Sequence, residues 1–445
     1  MNIKKVILSL LLIFTFGINV KSQANFDKTK LDSYFDTLEL HNKFMGSVAV
    51  SKNGEIIYNK SIGYSDIEKN DIATVNSKYR IGSISKTFTT VLILKAVEEN
   101  KIDLNQTIEN FFPSIKNSKK ITIKLLLSHR SGIHNFTSDK DYLTWNNQSK
   151  TEKQMIEIIT KGGNDFKPDS KAEYSNTNFV LLSFILEKTF LKSYSEILQE
   201  YIVKPLELKN TYVFGKINTE QNECKSYYFY SGNWMLAPET DSSIPIGAGA
   251  IISTPSDLVK FANALFHEKL LKRESLEIMK TLKDNYGIGL FQIPFYNKIG
   301  FGHNGGIDGF SSNFCYFNDG DISYALTSNG TNYDNNKISI SVLSAVFEKQ
   351  FEIPIFSNFT ITSDQLDQYL GEYSSKKIKL KITISKDGNI LQAKGSGQPM
   401  FPLEVSDINK FCSEEVKAYF EFNPSEKSFI LKQGGEQYTF IKIKE

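Results

Sequence analysis

A mixed α/β domain built on an antiparallel sheet, interrupted by a helical subdomain and followed by a small antiparallel β-domain, is the architecture this 445-residue sequence predicts. Three observations predict it. A two-residue hairpin signal, Asn53-Gly54, lies near the N-terminus, and further strand-like runs return only at 310–317 and 322–327. Residues between about 100 and 240 are mostly helical in pattern, broken by Pro113, Pro168 and Pro205. Beyond Pro354 the texture changes to strict apolar/polar alternation.

In chain order, residues 32–40 read as a helix, 46–51 as a strand, and 56–58 as the start of its hairpin partner. Apolar positions at helical spacing over 84–97 give a buried helix that opens with Ser83, and 338–350 reads as a closing helix. In the last part, Ile378, Leu380, Ile382 and Ile384 alternate with polar residues before an Asp387-Gly388 turn. Ala418, Phe420 and Phe422 alternate likewise, Pro424-Ser425 turns the chain, and Phe429 and Leu431 continue. Tyr438, Phe440, Ile441 and Ile443 form the final strand. The expected product is a curled sheet or barrel that packs on the main domain or shapes its substrate site.

Composition narrows the class. With 40% hydrophobic and 23% charged residues, the chain is neither disordered nor a multi-span membrane protein. Fifty-two basic against 50 acidic side chains offer no field for nucleic acid. Lys4 and Lys5 precede an apolar run over 6–18, too short for a membrane span, and Val20-Lys21-Ser22 offers a cleavage site. Residues 1–22 therefore read as a signal peptide, an uncleaved anchor being the alternative. The mature protein is expected to be periplasmic or secreted, with no transmembrane domain after cleavage. Its loss removes three lysines and no acid, leaving 49 basic residues against 50 acidic, a balance of −1. Cys224, Cys315 and Cys412 are odd in number and far apart, and the five histidines include no HExxH. No disulfide framework, metal or cofactor is expected.

The chemistry centres on the segment IGSISKTFT at 81–89. Three residues apart, Ser83 and Lys86 share one face of a helix, and Ser83 sits where free N–H groups and the positive dipole end lie. A lysine buried among residues such as Val91 is pushed toward its neutral form and can take a hydroxyl proton. S-x-x-K alone is cheap: Ser374-Ser375-Lys376-Lys377 repeats it in a strand-like stretch with no helix behind it. Tyr174-Ser175-Asn176 supplies a phenol able to shuttle protons and an amide able to bind a carbonyl. Tyr333-Asp334-Asn335 repeats that spacing in a polar turn. His303, within FGHNGG at 301–306, which reads as a loop, stands beside small residues that allow a substrate to approach the backbone.

Together, IGSISKTFT, Tyr174-Ser175-Asn176 and Gly302-His303-Asn304-Gly305-Gly306 resemble the three motifs of the serine β-lactamase and penicillin-binding protein superfamily, in its class C-like, D,D-peptidase and esterase branch. Supporting segments (IKLLLSHRSGI at 123–133, STPSDL at 253–258, Tyr286-Gly287-Ile288-Gly289) are similar too, and the resemblance spans about residues 30–350. LDQYLGEY at 366–373 and the strands after it resemble a lipocalin-like C-terminal domain. The resemblance implies a β-lactamase/transpeptidase-like α/β fold over 23–355 and a β-barrel over 356–445. It makes Ser83 the acylated nucleophile, Lys86 its proton partner, and Tyr174 general base and then acid. Asn176, His303, Asn304 and Gly305 would bind substrate, and the backbone N–H groups of Ser83 and Gly306 would form the oxyanion hole. His303 and Lys86 would supply whatever local positive charge an anionic substrate needs.

Departures from the family pattern set the expected substrate. His303 stands where efficient β-lactamases of this branch have lysine, and Asn304 where Thr or Ser is usual. Both favour a peptidase or esterase acting on D-Ala-type amides or esters, such as cell-wall peptides, over a true β-lactamase or a slow-turnover penicillin-binding sensor. Pro168-Asp169 replaces a common Pro-Gly, and His129 and His134 read as structural.

Overall fold

The computed structural model describes residues 26–443 except 231, 285, 357–360 and 414–415, so the expected signal peptide at 1–22 lies outside the described residues. A six-stranded antiparallel sheet runs in the order Phe291–Phe295, Lys298–Ile307, Phe310–Phe317, Ile322–Thr331, Phe44–Lys52, Glu55–Ile62. The N-terminal hairpin thus inserts beside the last strand of the domain, with Ala49 opposite Ala325 and Val48 opposite Leu326. Its turn is the expected one: Asn53 and Gly54 both take positive φ.

Both faces of the sheet are covered. Helices Lys28–Leu40 and Asn335–Val346 bury Leu31, Phe35, Ile338 and Val342 against one side. Helix Ser85–Glu98, with Asn176–Phe190 and Pro255–Phe266, fills the other around Phe88, Leu92, Phe179 and Phe261. Caps explain why observed helices start earlier than apolar periodicity alone suggests: Asp27 accepts from the Lys30 N–H and Asp334 from Asn336. The closing helix also ends earlier, at Val346, two residues before Glu348 takes φ +55°. Thr254 caps Pro255–Phe266, whose Pro255 gives up no hydrogen bond at the first position.

Two expectations need correction. Residues 227–236 are not helical: Tyr227–Tyr230 and Asn233–Leu236 pair as an aromatic-rich hairpin, consistent with the β-propensity of its rings. His303 lies not in a loop but within the ten-residue strand Lys298–Ile307, disguised by four glycines that hide alternation.

After residue 370, eight strands from Gly371–Ser375 to Glu436–Lys442 close into an antiparallel barrel, Tyr373 pairing with Lys442 to complete it. Its interior is filled by rings: Tyr369, Tyr373, Phe411, Phe420, Phe422, Phe429 and Phe440. The Phe429 and Phe440 rings stack 4.9 Å apart. Side chains occupy the space that a ligand would need, as expected of a small eight-stranded barrel. The second S-x-x-K ends this barrel's first strand, and Lys377 there is exposed.

Candidate active site

Ser83 lies in a single 3-10 turn, Gly82–Ile84, which feeds directly into the helix Ser85–Glu98. The expected helix therefore begins two residues after the serine, and Lys86 still falls on its face. Lys86 is completely buried, whereas Ser83 remains partly accessible. The lysine Nζ donates to Asn176 Oδ1 at 2.8 Å and to the Ala248 carbonyl at 2.8 Å, and lies within hydrogen-bond distance of Ser83 Oγ at 3.0 Å. No carboxylate is among those partners, so burial alone governs the amine and drives it well below the usual lysine range.

Tyr174 comes from the extended segment that ends in the cap of helix Asn176–Phe190, and its hydroxyl donates to the same Ser83 oxygen at 2.7 Å. Burial pushes this phenol up, against the opposing effect of the Ser83 bond. Lys86 Nζ lies 4.9 Å from the Tyr174 ring centre. Burial thus favours the proton-free form of the amine and the protonated form of the phenol.

Asn176 reaches both ways from the helix start. Its Oδ1 accepts from Lys86, while its Nδ2 donates to Thr137 Oγ1 at 3.0 Å. The amide expected to meet the substrate thus also contacts the lysine.

The third motif forms the opposite wall. Gly82 has φ +50°, and a Cβ there would lie 2.7 Å from the Gly306 nitrogen; at Gly305 a Cβ would lie 2.0 Å from the Ile81 carbonyl oxygen. Only glycine allows the nucleophile turn and this strand to approach so closely. Ser312 from the next strand fastens the junction, donating to the Ile81 carbonyl at 2.8 Å. Asn304 is exposed along the same edge. His303 is not: it is 3% exposed, packs 4.6 Å from Phe291, and its Nδ1 donates to the Asn304 carbonyl at 2.5 Å. Burial, assisted by Lys86, lowers its pKa to about 3. Burial thus works against the positive charge expected of His303 and Lys86, most strongly at the histidine.

His129, read from sequence as structural, touches the site. Its imidazole stacks on Tyr174 with centroids 4.5 Å apart, and Phe179 and Tyr286 pack around it at 5.3 and 5.5 Å. Its Nδ1 accepts the Ser175 N–H at 3.1 Å, and burial drives the ring well below the usual histidine range. The hint in the sequence was its place in the IKLLLSHRSGI segment, two residues after Leu127. His134 is the scaffold residue expected, bonded to Asp139 and Asp165 at 2.9 Å each. The Pro-Asp departure is also resolved: Asp169 takes φ +64°, a conformation that Asp tolerates. Its carboxylate bonds Arg130 at 2.5 Å and Lys283 at 3.1 Å, and Arg130 also contacts Asp284. That cluster joins the turns that carry His129, Tyr174 and Tyr286.

A hydroxyl held between a buried amine and a phenol has a proton acceptor and a proton donor within reach of the same oxygen. On this fold, that arrangement makes the protein a serine hydrolase. The β-lactamase family model matches residues 40–345, more than half of the chain, and the protein belongs to that family. A teichoic acid D-alanine hydrolase of Staphylococcus aureus (strain MRSA252) is 31% identical over 287 residues, 63% of this chain and 68% of the relative. An octameric penicillin-binding protein homologue from Pyrococcus abyssi superposes with a TM-score of 0.68 at 25% identity, over 94% of this chain and 100% of its own. D-amino acid amidase from Ochrobactrum anthropi SV3 does so with a TM-score of 0.63 at 26% identity, over 71% and 98%. Among the described residues, no helix is long and apolar enough to cross a membrane.

Proposed function

We propose that the protein hydrolyses D-aminoacyl esters and amides through an acyl-enzyme on Ser83, outside the cytoplasm. The single observation that most supports this reading is the shared Ser83 oxygen, 3.0 Å from Lys86 and 2.7 Å from Tyr174. Neutral Lys86 takes the Ser83 proton as Oγ bonds to the acyl carbon. The carbonyl electron pair moves onto oxygen, where the Ser83 and Gly306 N–H groups hold it. Collapse of that intermediate breaks the bond to the leaving group, which takes the Tyr174 proton; the Lys86 proton restores the phenol. Water then attacks the ester on Ser83 by the same route in reverse and releases the acid.

Three things favour a D-aminoacyl substrate with an uncharged leaving group. His303, its pKa lowered to about 3, has no charge to anchor the carboxylate that a penicillin or a C-terminal D-Ala carries, and burial disfavours the charge of Lys86. The Staphylococcus aureus relative is named for D-alanine hydrolysis from teichoic acid, and the Ochrobactrum anthropi neighbour for D-amino acid amides. The apolar run after Lys5 and the cell-wall polymer in that relative's name support the proposed export. We assign the catalytic unit to 23–355 and the filled barrel to 356–445, the latter with a packing role. The deciding experiment compares turnover of a D-alanyl ester, a D-alanyl amide, a D-Ala-D-Ala peptide and a chromogenic cephalosporin. The D-alanyl ester and amide should exceed the two carboxylate-bearing substrates in kcat/KM by at least about tenfold. Faster cephalosporin turnover would return the protein to the β-lactamases.

A further inference from the structure

A buried ion pair brackets the nucleophile junction, and no role has yet been given to it. Arg80 stands three residues before Ser83 and Asp308 two residues after Gly306. Their side chains are 1% and 4% exposed, with Nη1 to Oδ2 at 2.8 Å. The pair thus ties together the two backbone segments that carry the proposed oxyanion-hole amides. Gly82, between Arg80 and Ser83, approaches Gly306 so closely that a Cβ would lie 2.7 Å from its nitrogen. Three further contacts fix the geometry. Asp308 Oδ1 accepts from the Thr240 N–H at 3.1 Å and from its hydroxyl at 2.7 Å, and Arg80 donates to the Thr240 carbonyl at 3.2 Å. Arg80 Nη2 donates to the Gly215 carbonyl at 3.0 Å and to Glu239 at 2.8 Å, while its guanidinium lies 4.0 Å over Phe214. The segment that supplies Thr240 continues to Ala248, whose carbonyl accepts from Lys86. One scaffold therefore holds both the strand after Gly306 and the lysine.

We propose that the Arg80–Asp308 pair is a positioning device that sets the separation of the Ser83 and Gly306 N–H groups, and hence the strength of the oxyanion hole. This rests on the acyl-enzyme reading above. A charged, planar, multiply bonded arginine suits the task, because its fork fixes direction as well as distance. Preorganised donors act through small displacements, and misplacement by about 1 Å costs about 100-fold in rate.

The test uses the whole chain, with Asp308→Ala, Asp308→Asn and Arg80→Lys. Folding is checked by circular dichroism and thermal melting, and two quantities are followed: ester hydrolysis and inhibition by an arylboronic acid. The boronate adds to the serine oxygen as a tetrahedral anion and so reports the oxyanion site directly, whereas KM reports ground-state binding. The pair predicts that kcat and boronate affinity fall together, by about 10- to 100-fold in Asp308→Ala. KM should change less than about threefold, and Asp308→Asn, which keeps an acceptor for Thr240, should lose less. A KM that rises while boronate affinity holds, or changes below about twofold in all three folded variants, would overturn the proposal. Should Asp308→Ala not fold, Asp308→Glu decides, since it keeps the charge and shifts it by one carbon; it should still lose at least about tenfold. A wild-type protein that neither turns over esters nor binds boronate through Ser83 would instead remove the acyl-enzyme reading and this proposal with it.

Discussion

The imidazole of His129 lies against the phenol of Tyr174, ring centres 4.5 Å apart at an interplanar angle of 30°. The stack fixes the direction in which the Tyr174 hydroxyl points at Ser83, and the Nδ1 bond to the Ser175 N–H fixes the ring itself. His129→Ala should lower kcat about 10- to 100-fold with a smaller effect on KM. His129→Phe keeps the stack without the acceptor and should lie between the variant and the wild type. Steady-state kinetics of the three proteins on one ester checks this.

Lys86 carries a second prediction. Burial holds its pKa well below the usual lysine range and so favours the basic form. Activity should be lost as pH falls through that lowered pKa, giving an ascending limb in the kcat/KM profile far below the ordinary value of about 10.4. Lys86→Arg cannot give up its proton and should lose about 100- to 10,000-fold. A pH–rate profile with full activity only in the usual lysine range would contradict the assignment.

Stability should also depend on pH. His303 has a pKa of about 3 in the folded chain against about 6.5 unfolded, so the unfolded state takes up the proton first. Its contribution is complete above pH 6.5 and is lost as pH falls toward 3, at up to about 1.4 kcal/mol per pH unit. His129 is shifted in the same direction and adds to the slope. Urea unfolding at pH 7.5, 6 and 5 should show the decline, and His303→Asn should flatten it.

Neighbouring glycines should respond unequally. A Cβ at 305 meets the Ile81 carbonyl oxygen at 2.0 Å, whereas one at 306 finds its nearest neighbour at 3.8 Å. Gly305→Ala must push the nucleophile turn off the strand and should cost about 1–3 kcal/mol or more. Gly306→Ala should leave the melting temperature within a few degrees. Thermal melts of both variants decide it.

Much of this was legible in the sequence where one residue type carried one physical need. The Asn53-Gly54 turn, the apolar helix behind Ser83 and the alternating strands after 378 are local signals, and the structure keeps each of them. The copy of S-x-x-K at 374–377 could be set aside for lack of a helix. What stayed hidden depends on long-range contact. His129 meets Tyr174 across 45 positions, and Arg80 meets Asp308 across 228. His303 was readable as a motif residue but not as a buried neutral one, because its burial depends on Phe291 from the neighbouring strand. Asp169 looked like a defect until its positive φ and its bond to Arg130 were in view.

Acylation of Ser83 with Lys86 as its base is read by intact-protein and peptide mass spectrometry after brief exposure to a serine-directed acylating probe. The wild type should gain one adduct on Ser83, formed much more slowly in Lys86→Arg and absent in Ser83→Ala. Equal labelling of Ser83→Ala, or an adduct on any other residue, would contradict the account.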